Sequence, residues 1–201
     1  PGYQLPGSDD VYGTGVARFL ADNDRPDQLD LSLYGKLGAG MTPGTFVAGE
    51  GSTIAPTRRQ YYRSMHRPPN SASNAFFLET LRLTLVHETT DGAGIPRGLE
   101  LAFSTPRAWL RKGRIVVKRA PTSFGPLSYS IDARQPAIQI HLTVPSRTPP
   151  SSLRLRLRLP DGKRIASLLL DGKPYYRYDP ATGTIDLSSL TGRLALTAAR
   201  G

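Results

Sequence analysis

A chain of 201 residues that is 38% hydrophobic and 21% charged is long enough to bury a core, as one large domain or one and a half smaller ones. It has no cysteine and three histidines, His66, His87 and His141, none at a metal-ligand spacing, so disulfide frameworks, thiolate metal sites and HxxxH sites are excluded. The net charge of +10 raises nucleic acid as a partner, but no nucleic-acid motif accompanies it, and scattered arginines in a Lys-poor, Ala/Gly/Pro-rich chain are also what a GC-rich genome produces.

Residues 1–90 read as helical. Ser8 or Asp9 is placed to cap a first helix, and Asp9 and Asp10 suit the positive end of its dipole. Val11, Val16, Phe19 and Leu20 lie near helical spacing, with Gly13 and Gly15 working against it. A turn at 22–26 follows, and Pro26 opens a second helix at its first turn, where a missing N–H costs little. Leu29, Leu33 and Leu37 repeat every four residues, and Leu31 and Tyr34 widen that face. Residues 38–46, rich in glycine, end it. A third helix over 74–88 is capped by Asn70, Ser71 or Ser73. Phe77, Leu78, Leu81, Leu85 and Val86 form its apolar stripe, with Phe76 and Leu83 on another side. Three helices make one and a half hairpins. That count, with the start at Pro1-Gly2, leads us to expect a piece of a longer protein.

Small polar residues, Gly and Pro at 89–98 read as a linker. Strands follow. Leu99, Leu101 and Phe103 alternate with Glu100, Ala102 and Ser104, and 106–110 is a short helical turn. Further strands are expected at 114–120, 127–133, 137–144, 152–160, 164–179, 182–190 and 192–199, with Asp-Gly turns at 161–162 and 171–172. Seven to nine short strands after residue 91 predict an antiparallel β-sandwich. The whole is therefore expected to be α+β, with helical hairpins at 1–90 and the sandwich at 91–201. The run LRLRLRL at 153–159 puts four leucines on one face and three arginines on the other. The arginine face is either an ordinary exposed sheet face or a phosphate-binding one; no aromatic residue interleaves, so base stacking is not supported.

The chemistry-bearing residues concentrate at 49–74. Glu50 sits between Gly49 and Gly51, and Arg58, Arg59, Tyr61, Tyr62, Arg63, His66, Arg67, Asn70 and Asn74 follow. Aromatic rings with polar tips, planar polar groups and a carboxylate are the equipment of a sugar subsite. Rings stack on apolar sugar faces, and planar groups bind vicinal hydroxyls. Each residue also has a plainer reading. Glu50 is a solvated loop carboxylate, His66 a hydrogen-bonding loop residue, Asn70 and Ser73 caps, and Tyr61 and Tyr62 packing groups. Trp109 fills a seam between the two parts, and His87 and His141 are structural. Glycoside cleavage needs two carboxylates facing across the bond. Glu50 is one; Asp9 and Asp10 are less suited to be the other. No GxSxG, P-loop or dinucleotide-binding glycine pattern is present.

The order of parts, with GEGSTIAP, YYRSMHRPPNSASNAFFLETLRLTLVHE, GLELAFSTPRAWL and APTSFGPLSYSI in turn, resembles the C-terminal end of bacterial six-hairpin glycosidases, such as α-L-rhamnosidase-like enzymes. In that family an (α/α)6 toroid carries the active site and a β-sandwich follows. The resemblance spans nearly the whole chain and contains no catalytic signature. It implies that the helices close the toroid and that Glu50 and the 61–74 loop line its open end. The expectation is a C-terminal fragment of a glycoside hydrolase, inactive alone, with Glu50 catalytic and Tyr61, Tyr62, Arg63, His66 and Asn70 binding substrate. The alternative is a non-catalytic carbohydrate-binding module. Expected partners are carbohydrate and an upstream catalytic domain of the same protein. No metal, cofactor, membrane or nucleic acid is expected, and localisation is left open.

Overall fold

The computed structural model describes residues 7–9, 13, 15–53, 65–145 and 147–201. It is α+β and divides into two units, Pro1–Thr84 and Leu85–Gly201.

The first unit contains β1 (Gly7–Asp9), α1 (Val16–Asp22), α2 (Pro26–Gly35), a π-helical turn (Lys36–Gly40), β2 (Gly51–Thr53), β3 (Met65–His66) and most of α3 (Ser71–Leu85). Asp9 is therefore in a strand, where a helix start was expected. Among the described residues the first helix starts after Gly15, whose φ of 79° is left-handed. Pro26 does open α2, and Leu29 and Leu33 are buried on it. Leu31 and Tyr34 are 73% and 47% exposed. At about 100° per residue, Leu31 points some 200° away from Leu29 and cannot share its face.

Asn70 caps α3: its Oδ1 accepts the Ser73 N–H at 3.0 Å. The buried face of this helix is Ser73, Thr80, Leu83 and Thr84, while Leu78 is exposed. The threonines tolerate burial because their hydroxyls donate back along the helix, Thr80 to the Phe76 carbonyl and Thr84 to that of Leu81. Ala17, Ala21, Leu29 and Leu83 form the small core of this unit, with Leu20 against it. The helix stops at Leu85, short of the expected 88, because Val86, Thr89 and Thr90 favour a strand.

The second unit is two sheets. Its strands are β4 (Val86–Thr90), β5 (Pro96–Leu101), β6 (Arg114–Ala120), β7 (Leu127–Asp132), β8 (Ile138–Val144), β9 (Ser152–Arg156), β10 (Ile165–Leu170), β11 (Lys173–Pro174), β12 (Tyr178–Asp179), β13 (Thr184–Asp186) and β14 (Gly192–Arg200), with a 3-10 turn at Arg107–Leu110. One sheet runs β11-β10-β14-β8-β7-β6 and the other β12-β13-β9-β5-β4. All neighbours are antiparallel except β5 and β9. The stretch read as a linker is the β4–β5 hairpin. Its turn is held by the Asp91 carboxylate, which accepts the Ala93 and Ile95 N–H groups at 3.0 Å each.

One core draws on both sheets, a sandwich-like arrangement. Leu99, Leu101, Leu153, Leu155 and Ile185 come from the five-stranded sheet, and Ile131, Ile138, Ile140, Leu142 and Leu196 from the other. Trp109, expected at a seam, packs against this core. Tyr129 is buried in it. Its hydroxyl donates to the Leu85 carbonyl at 2.8 Å, and burial pushes its phenol pKa upward. Among the described residues no helix is long and apolar enough to cross a membrane.

Candidate functional site

Two constellations carry chemistry, one in each unit. The first is built on the β2–β3 ribbon. Gly51 pairs with His66 and Ser52 with Met65, and the Glu50 N–H extends this ladder to the His66 carbonyl at 2.8 Å. Gly49 has to be glycine, since a Cβ there would meet the His66 carbonyl oxygen at 2.7 Å. The close approach at this glycine is thus to the chain's own backbone. It sets the Glu50 side chain beside the next turn. Arg67, at a left-handed φ of 47°, brings its Nη1 to 3.4 Å from Glu50 Oε2, and His66 Nε2 lies 3.9 Å from the same oxygen. The carboxylate is 20% exposed, and the two donors stand out at 67% and 74%. The result is a recessed acceptor rimmed by two donors.

Asn70 and Asn74 lock this loop. The Asn70 N–H donates to the Ala48 carbonyl at 2.8 Å while its side chain caps α3. Asn74 Oδ1 accepts the Ala48 N–H at 3.1 Å, and its Nδ2 donates to the Phe46 carbonyl at 3.2 Å. Tyr61, Tyr62 and Arg63, with Arg58 and Arg59, lie outside the described residues. The register of β1 sets Asp9 opposite Gly51, so the sequence's second-choice carboxylate belongs to a strand adjoining Glu50. Among the described residues there is no group of three or more His, Asp or Glu that could hold a metal ion.

The second constellation contains the arginine face singled out at 153–159, but its acidic and aromatic members were not foreseen. It lies on the outer face of the five-stranded sheet, opposite the leucines of β9. Cross-strand register aligns His87 with Glu100, Glu100 with Arg154, and Arg154 with Asp186. His87 Nδ1 lies 2.9 Å from Glu100 Oε2, both buried. Arg154 pairs with Glu100, and Arg177 with Asp186. Alongside, Arg156 donates to the Thr184 hydroxyl at 3.0 Å. The Phe103 ring lies under both Arg154 and Arg156, 5.2 and 4.0 Å from ring centre to guanidinium carbon. Arg158 is buried and donates to the Thr105 carbonyl at 2.9 Å. All three arginines of the LRLRLRL run therefore have protein partners.

Beyond this row the sheet opens into a cleft of about 610 Å³, lined by Arg154, Arg156, Tyr176, Arg177, Tyr178, Asp179, Thr182, Thr184 and Asp186. The Asp179 carboxyl is held below its ordinary value, first by the Thr182 hydroxyl at 2.7 Å, then by the Ala181 N–H, with Arg156 adding an electrostatic share. Burial raises Asp186, but hydrogen bonds from Ser188 and Arg177 outweigh it and leave its pKa lowered. Tyr176 is 83% exposed. One signal was available in sequence: the triplet Tyr-Tyr-Arg at 61–63 recurs at 175–177.

No family model matches the chain, and no curated protein matches it. Among solved structures, one titled "Glycoside hydrolase" is similar to it at 15% identity, with a TM-score of 0.44, over 99% of this chain and 34% of that one. The chain thus spans about a third of the length of that protein.

Proposed function

We propose that the chain binds carbohydrate through Glu50 and its surroundings, as part of a glycoside hydrolase. The observation that supports this reading is the recessed Glu50 carboxylate with Arg67 and His66 at its rim. Neighbouring sugar hydroxyls each donate and accept. A fixed acceptor flanked by donors matches a vicinal pair. Tyr61, Tyr62 and Arg63 would supply the stacking side, and His66 and Asn70 the polar edge. Cleavage needs a second carboxylate across the bond. In this reading it comes from a catalytic domain of the same protein, while α1 to α3 close an α/α toroid and the sheets buttress it. The isolated chain then binds sugar and does not cleave it.

A non-catalytic binding module is the second reading, and the Arg67 guanidinium beside Glu50 favours it. The two readings part on the whole protein: Glu50→Gln abolishes hydrolysis under the first and only weakens binding under the second. Both stand on one test in the 201-residue chain. Titration with neutral oligosaccharides should give saturable binding that Glu50→Gln weakens about tenfold, as losing one hydrogen bond with a charged group does. Affinity untouched by that substitution removes Glu50 from the site.

A further inference from the structure

We propose that the outer face of the five-stranded sheet holds a second, non-catalytic site for a neutral oligosaccharide. Tyr176 is its stacking platform, and Arg154, Arg177, Asp179 and Asp186 are its hydroxyl-binding groups. The inference rests on the carbohydrate reading above but uses only residues of Leu85–Gly201.

The ring comes first. Tyr176 is 83% exposed, yet the chain around it is pinned. The Tyr175 N–H donates to the Leu168 carbonyl at 2.9 Å, and its hydroxyl donates to the Asp186 carbonyl at 2.7 Å. The Tyr178 N–H closes back on the Tyr176 carbonyl at 3.0 Å. An aromatic side chain presented on a fixed strap loses little freedom when a ligand covers it. A flat apolar face with a polar tip suits the C–H face of a pyranose.

Charge then selects the ligand. Arg154 is paired with Glu100, Arg177 with Asp186, and Arg156 acts electrostatically on Asp179. Two of the cleft's three guanidinium groups are thus paired with carboxylates, and the third, Arg156, holds the Thr184 hydroxyl. A polyanion would have to displace those carboxylates, whereas a neutral polyol inserts between donors and acceptors already interleaved. Carboxylate and hydroxyl groups fixed by one another give that recognition geometry. Asp179 and Thr182 are joined at 2.7 Å, and the Thr182 and Thr184 hydroxyls lie 2.9 Å apart. The cleft's volume of about 610 Å³ falls within the range of small-molecule sites. Its open shape on a sheet face suits a chain of sugars better than a single engulfed one.

The test is calorimetric titration of the 201-residue chain with maltohexaose, cellohexaose and mannohexaose, and with an oligogalacturonate as the anionic probe. Wild type, Tyr176→Ala, Tyr176→Phe and Glu50→Gln are compared, with circular dichroism as the check of folding. At least one neutral hexasaccharide should bind. Tyr176→Ala should weaken it about tenfold, and Tyr176→Phe should retain it, since the ring is kept. Binding unchanged in Tyr176→Ala overturns the proposal, as does binding of the anionic probe alone. If Glu50→Gln weakens binding and Tyr176→Ala does not, the sheet site fails and the Glu50 reading stands. The opposite pattern supports the sheet site and removes Glu50. Absence of all neutral binding removes both.

Discussion

Asp132 shows how single contacts set this protein's response to acid. The Arg134 guanidinium hydrogen-bonds its carboxyl at 2.9 Å, with the Arg134 N–H and then the Arg114 charge adding to it, and its pKa falls from 3.8 to about 2. A carboxyl depressed in the folded state stabilises above its unfolded value, and that stability is lost as pH falls through the folded one. The window is therefore from about pH 4 down to about pH 2. Asp91, Asp179 and Asp186 are lowered as well, so the wild-type unfolding midpoint should drop steadily across the acid range. Asp132→Asn should flatten that slope in thermal unfolding curves; a slope identical to wild type would mean the contact is absent in solution. At the same scale, Thr80 and Thr84 show why apolar patterning misjudged α3. A threonine whose hydroxyl bonds back to its own helix buries almost as readily as a hydrophobe.

Among elements, β9 does the most. Leu153 and Leu155 fill the core on one side, and Arg154 and Arg156 organise the outer face on the other. Leu155 is fully buried, so Leu155→Ala should cost about 2–5 kcal/mol in urea unfolding, the range for an uncompensated cavity. A loss below about 1 kcal/mol would mean the two sheets do not share one packed core. Strands of this kind were legible because period-two alternation and Asp-Gly turns are local: 114–120 was expected as a strand and is β6, and 192–199 is β14 less its last residue. The Glu50 cluster was legible for the same reason, since its three members fall within residues 50–67. The sheet cleft was not. Arg154, Asp186 and Tyr176 meet only through the pairing of β9 with β13 and the strap before β12. The parallel partnership of β5 with β9 adds Glu100, and none of this is written in any one stretch of chain. The linker expected at 89–98 failed because a tight hairpin uses the same small polar residues.

At the scale of the whole molecule, a net charge of +10 would ordinarily direct attention to polyanions. The described arginines argue otherwise. Arg97 is joined to Asp91 at 2.9 Å and Arg111 to Asp161 at 3.1 Å, and Arg134, Arg154 and Arg177 are paired too. These five positive charges are thus each matched by a nearby carboxylate. Binding that depends on hydroxyl recognition and ring stacking should be nearly independent of salt, whereas phosphate-driven affinity falls by orders of magnitude as salt rises. The most direct measurement is therefore titration of the wild-type chain with neutral hexasaccharides and with a nucleic-acid duplex, each at low and high salt. We expect saturable sugar binding that hardly changes with salt. No sugar binding, together with duplex affinity that collapses at high salt, would contradict the account at its centre.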